Sequence, residues 1–201
     1  MGTLVFDEKK HLFVSLFIAL LTIILFVIGF EKKEIGTRRT VIVSIMTALS
    51  VAGRFIPFFK PVTALTVITA IYLGGEAGFA VGAFSALISN FYFGQGPWTP
   101  FQMLAWGLIG LAAGALAKPL KKSKLFLLIF GVLSGIAFSL IMDVWTVLWY
   151  NDGFDTALYL SAIITALPHT ALYTVSNFLF LLCLSKPFGD KLQRIKIKYG
   201  V

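Results

Sequence analysis

The 201-residue chain is 58% hydrophobic and only 13% charged, with 20 Phe and four Trp. An ordinary soluble domain carries about 45–50% apolar and roughly 25% charged residues, so the charges are too few to cover a water-exposed surface and the composition is that of an integral membrane protein. A formal net charge of +8 does not point to nucleic acid here, because the basic residues are scattered among hydrophobic runs; with about 20 apolar residues needed per span, six or seven spans fill the chain and leave no room for a separate soluble catalytic domain.

In chain order, hydrophobic stretches fall at about 11–30, 38–55, 62–75, 77–92, 100–117, 125–150 and 158–185, which predicts seven helices and no strands. The first is longer than a signal-peptide core and runs into Glu31, Lys32 and Lys33 without a small-residue cleavage site, so it reads as a retained helix. The pair at 62–75 and 77–92 is shorter than a bilayer crossing demands, which predicts tilting or internal packing. Cys183 is the one cysteine and lies within a hydrophobic run, so no intramolecular disulfide forms.

Lys and Arg near helix ends are retained on the cytoplasmic side. If 31–39 is inside, so are Lys32, Lys33, Arg38, Arg39, Lys118, Lys121, Lys122, Lys124, Lys186, Lys191, Arg194, Lys196 and Lys198, which is 13 of the 17 basic residues. The expectation is a multi-pass cell-membrane protein with its N-terminus outside, its C-terminus cytoplasmic, and external loops at 56–61, 93–100 and 151–156.

Polar groups within the hydrocarbon are costly, about 2.5–3.5 kcal/mol for a charge at mid-helix on an insertion scale. Those present are Arg54, Asn90, Gln102, Asp143, His169 and Asn177. Helical spacing puts Ser139, Asp143, Thr146 and Tyr150 on one stripe, Thr165, His169, Tyr173 and Asn177 on another, and Gln102 with Trp106 on a third. Such stripes avoid lipid, so the expectation is an externally open pocket with Arg54, Asn90, Gln102, Asp143, His169 and Tyr173 as polar contacts and Trp98, Trp106 and Trp145 as walls. Two structural alternatives stand beside it. Asp143 would tie helices by pairing with His169 or Arg54, and Pro168 would kink its helix so that His169 caps a freed carbonyl. Trp149 reads as an interfacial anchor.

Gly74, Gly78 and Gly82 are spaced for close helix packing. On the 38–55 helix, Ser44, Ala48 and Ala52 make a small stripe and Thr47, Ser50 and Arg54 a polar one, centred about 130° apart. One helix thereby serves a partner with one face and a pocket with the other. No P-loop, H-E-x-x-H or G-x-S-x-G motif is present, so no catalytic role, metal site or cofactor is expected.

The stretches PVTAL at 61–65, GGEAGF at 74–79, GAFSALISNF at 82–91 and GQGPWTPFQMLAWG at 94–107 resemble the substrate-binding S component of an energy-coupling factor (ECF) vitamin transporter. The similarity covers about 38–185 and is strongest at 74–110. It implies a six-helix membrane domain at 38–201, a non-catalytic vitamin-capturing role, and docking onto a transmembrane coupling subunit driven by two ATPase subunits. The family's A-x-x-x-A docking motif maps onto Ala48 and Ala52, with Ser44 one step further. Residues 1–37 would be an extra N-terminal transmembrane helix and linker. The 94–103 stretch looks most like members that take cobalamin, which makes cobalamin the expected ligand. The alternatives are a riboflavin-, folate- or queuosine-like vitamin, an ion-coupled carrier using Asp143 and His169, or a membrane enzyme.

Overall fold

The computed structural model describes residues 16–24, 37–151 and 153–200, and all regular structure among them is helical. After a helical stretch at 16–24 come α1 (Thr37–Gly53), α2 (Val62–Leu73), α3 (Gly75–Phe93), α4 (Thr99–Ala115), the short α5 (Ala117–Lys122), α6 (Lys124–Tyr150) and α7 (Thr156–Tyr199). The remainder of the 11–30 expectation lies outside the described residues. From 38 onward the six expected helices are present, with ends displaced by a few residues except at the C-terminus.

The hub of the bundle is α2. Every residue in it except Tyr72 is buried, and it touches each of the other six named helices. At 12 residues it is about 18 Å long, too short to cross a bilayer of about 30 Å unaided, and its uniformly apolar or small side chains suit a helix wrapped on all sides. Helices α6 and α7, with 27 and 44 residues, are long and apolar enough to cross.

Lipid is as apolar as Leu, so helices in a membrane associate through close packing and interhelical hydrogen bonds more than through the hydrophobic effect. The α3–α4 pair meets through glycine. A Cβ added at Gly78 would come within 3.1 Å of the Gly110 Cα, and one at Gly82 within 2.7 Å of the Trp106 carbonyl carbon. Gly74 serves the chain reversal between α2 and α3 instead, with a φ of 104° that L side chains disfavour. Arg39 braces this reversal, donating to the Leu73 carbonyl at 2.7 Å and to the Glu76 carboxylate at 3.5 Å. Between α6 and α7, the Asn177 amide donates to the Gly131 carbonyl at 3.1 Å, and the Ser139 and Thr170 hydroxyls share a bond of 2.5 Å.

The last helix was expected over 158–185 and runs to Tyr199. Past Pro187, residues Gly189 and Leu192 are buried and Phe188 and Ile195 pack on the core. This apolar row at helical spacing keeps the basic tail folded under the bundle. There Lys121 lies over the Tyr72 ring at 4.6 Å, the Lys196 ammonium donates to the Tyr72 carbonyl at 3.1 Å, and Arg38 lies over the Tyr199 ring at 4.8 Å. The basic segments therefore gather at one end of the bundle, opposite the loops at 54–61 and 94–98.

Candidate functional site

The inward stripe of α1 leads to the site. Thr47 and Ser50 are buried, and Arg54, one position past the helix, is 9% exposed. Its Nη1 donates to the Ser89 hydroxyl and to the Asn90 side-chain carbonyl, the latter at 2.8 Å. The Asn90 amide nitrogen passes the network on, donating to Thr99 Oγ1 at 2.9 Å and to Gln102 Oε1 at 2.8 Å. Thr99 donates to Gln95 Oε1 at 3.0 Å, and the Gln95 amide donates to the Leu87 carbonyl at 2.8 Å. One continuous chain of bonds thus ties the end of α1, the end of α3, the 94–98 loop and the start of α4.

Aromatic rings flank this network. The Arg54 guanidinium carbon lies 5.4 Å from the Trp106 ring centre and 5.0 Å from that of Phe93, geometry in which a cation is attracted to the ring face. Trp106 stacks on Phe138 at 4.6 Å, and Phe138 meets Tyr173 edge-on at 5.2 Å. A second group, nearer the loop tips, contains Trp98 at 6.5 Å and Phe101 at 5.5 Å from Trp145, with Trp149 at 5.2 Å on its far side. Asp143 is buried on α6 between Phe138 and Trp145.

The 54–61 loop is pinned by a reciprocal pair: the Lys60 N–H donates to the Ser176 hydroxyl at 2.8 Å, and that hydroxyl donates to the Lys60 carbonyl at 2.9 Å. The Lys60 ammonium lies 5.2 Å from the Phe93 ring centre. Burial first, and then the neighbouring Arg54 charge, holds its pKa below the ordinary lysine range.

Arg54, Asn90, Gln102, Trp106 and Tyr173 thus come together, and Trp98 and Trp145 join in the second aromatic group, while Asp143, buried on α6, makes no hydrogen bond to any of them among the described residues. His169 does not join them. It is exposed on α7, because the buried residues of that helix begin only at Ser176; Asn177 ties helices, and Thr165 is exposed. Asp143 makes no ion pair with Arg54 or His169 among the described residues. Ser89, Thr99, Phe138, Ser176 and Lys60 belong to the arrangement without having been singled out in the sequence. Ser44, Ala48 and Ala52 are exposed on the other face of α1, where with Ala77, Phe84 and Ile88 they line an apolar groove of about 800 Å³.

Among known protein families, the sequence pattern of the ECF-type riboflavin transporter, S component, matches residues 34–193, about four fifths of the chain. The chain belongs to this family. It is accordingly a substrate-binding, non-catalytic membrane subunit of the ECF type, whose family works with coupling and ATPase partners. The match is to the riboflavin-type group and gives no support to a cobalamin-type subfamily. No curated protein and no solved structure matches the chain. The matched span of this S component begins after the N-terminal hydrophobic run.

Proposed function

We propose that this S component captures a vitamin with a large conjugated ring system in the cluster around Arg54, Asn90, Gln102, Trp106 and Tyr173, and hands it to a coupling subunit with two ATPases. The family match over 34–193 carries the reading, and the cluster gives it a place: a fork of side-chain donors and acceptors beside stacked rings suits a flat heteroaromatic ligand with polar edges. A flavin is favoured by the family's own description; a corrinoid, with cobalamin as the natural member, is favoured by the resemblance of the 94–103 stretch. Trp98, Trp145 and Asp143 line the entrance. The 94–98 loop closes over the ligand, hinging at Gly94, whose φ is 107°, and latched by the Gln95 bonds to Thr99 and Leu87.

The loops at 54–61 and 94–98 face outside and the basic end faces the cytoplasm. Support comes from the gathering of Arg38, Arg39, Lys121 and Lys196 at one end, as retention of Lys and Arg on the inner side predicts. The groove along Ser44, Ala48 and Ala52 is the docking face. An ion-coupled relay draws no support from the geometry, since Asp143 and His169 form no ion pair among the described residues.

The test is a panel of vitamins titrated onto the purified full-length protein, read by quenching of its tryptophan fluorescence, together with pull-down of partners from its own membrane. Tight binding of riboflavin or cobalamin, with recovery of a coupling subunit and two ATPases, is the expected result. Transport by the chain alone in vesicles without ATPases would overturn it.

A further inference from the structure

Arg54 is a buried cation that pairs with no carboxylate among the described residues. A guanidinium has five N–H donors. Nη1 is used on Ser89 and Asn90, Nε is buried with no partner, and no bond to Nη2 is present among the described residues. Its neighbours are neutral acceptors and ring faces. Lys60 adds a second positive charge beside the same Phe93 ring, 5.2 Å from its centre as against 5.0 Å for Arg54. Among the described residues the one Lys/Arg–carboxylate ion pair is Arg39 with Glu76, at the basic end of the bundle. Asp143, the nearest acidic residue along α6, pairs with neither cation.

A half-exposed ammonium near a buried guanidinium raises the cost of both, and an unpaired donor on a buried charged group is more costly than a neutral one. A structural role through Nη1 alone leaves Nε buried and unsatisfied. The unfilled donors make sense once an anion arrives, because charge-assisted bonds to an oxyanion are about twice as strong as neutral ones.

We infer that the ligand of this S component carries an anionic oxygen group, a phosphate or carboxylate, that docks between Arg54 and Lys60 while its flat part lies against Trp106. This rests on the vitamin-capture reading and adds the charge class of the ligand to it. Among flavins it selects a phosphorylated flavin over free riboflavin. Among corrinoids it selects those that retain the phosphate of the nucleotide arm.

The experiment compares ligands that differ by the phosphate alone, riboflavin with FMN and cobinamide with cobinamide phosphate, titrated onto the full-length protein in neutral-lipid nanodiscs. Within the scaffold that binds, the phosphorylated member should bind about tenfold tighter or more. That advantage should shrink as salt is raised, and Lys60→Gln should remove most of it, weakening the phosphorylated member by a larger factor than the unphosphorylated one. Arg54→Gln should remove the rest, provided that its thermal unfolding remains cooperative; Lys60→Gln, in a loop, supplies the test if it does not. Equal or tighter binding of the unphosphorylated member, or a loss in Lys60→Gln shared equally by both members, overturns the oxyanion. Binding of neither scaffold to well-folded protein overturns the flavin and corrinoid reading, and the oxyanion with it, and is distinguishable from both of the other results.

Discussion

Lys60 is the residue whose behaviour is most directly measurable. Burial and the Arg54 charge lower its pKa in the folded protein, while in the unfolded chain it titrates normally. Between those two values the unfolded state binds more protons, so stability rises with pH across that window; below it both states are protonated and the penalty is present in full. Melting temperatures of ligand-free protein between about pH 8 and pH 11 should therefore show a rising contribution in wild type that Lys60→Gln lacks. A bound oxyanion favours the ammonium, so ligand binding in the same window should take up a proton, seen as a dependence of binding heat on buffer ionisation. Much of this site is legible in the sequence, because a charge or amide inside an apolar run announces itself: Arg54, Asn90 and Gln102 are all of that kind. Small hydroxyls are harder to read, since Ser and Thr satisfy themselves on the carbonyl four residues back, as Ser85 does on Val81 at 2.5 Å, and nothing marks Ser89 as an acceptor for Arg54 or Ser176 as a clasp for a loop far away in the chain.

At the scale of the element, the α3–α4 contact is the most exacting. A Cβ at Gly110 would meet the Phe79 amide nitrogen at 2.6 Å, and both partners are backbone on helices with no freedom to retreat. Gly110→Val is expected to cost about 1–3 kcal/mol or more through overpacking, read as a lower melting temperature. Gly153→Ala, at a position where an added Cβ meets nothing within 4 Å, serves as the control and should leave it unchanged. The glycine spacing at 78 and 82 foretells such a contact, and the helices themselves follow from runs of apolar residues broken by Gly, Pro and charge. Two features escape that reading. The stripe of Thr165, His169, Tyr173 and Asn177 assumes that a whole helical face meets the bundle, whereas the buried residues of α7 begin only at Ser176. The tail past Pro187 looks like a polar terminus by composition, and its helical course rests on Gly189 and Leu192 packing against residues distant in sequence.

For the molecule as a whole, the question is how a binding subunit engages a partner without disturbing its own site, and α1 offers an answer in its two faces. Ser50 and Arg54 are buried, Arg54 in the polar network, while Ser44, Ala48 and Ala52 are exposed along an apolar groove shared with α3, whose wall Thr47 joins. Small residues let a partner helix approach closely, so bulk added there should block docking and leave the opposite face as it was. Replacing Ala48 and Ala52 together by Leu is expected to abolish vitamin uptake in cells supplied with the coupling subunit and ATPases, and to prevent co-purification of that subunit. The dissociation constant of the isolated protein should stay within about twofold, because neither side chain touches the Arg54 network. If affinity falls in step with uptake, the two faces of α1 are not separable, and partner engagement acts through the ligand site itself.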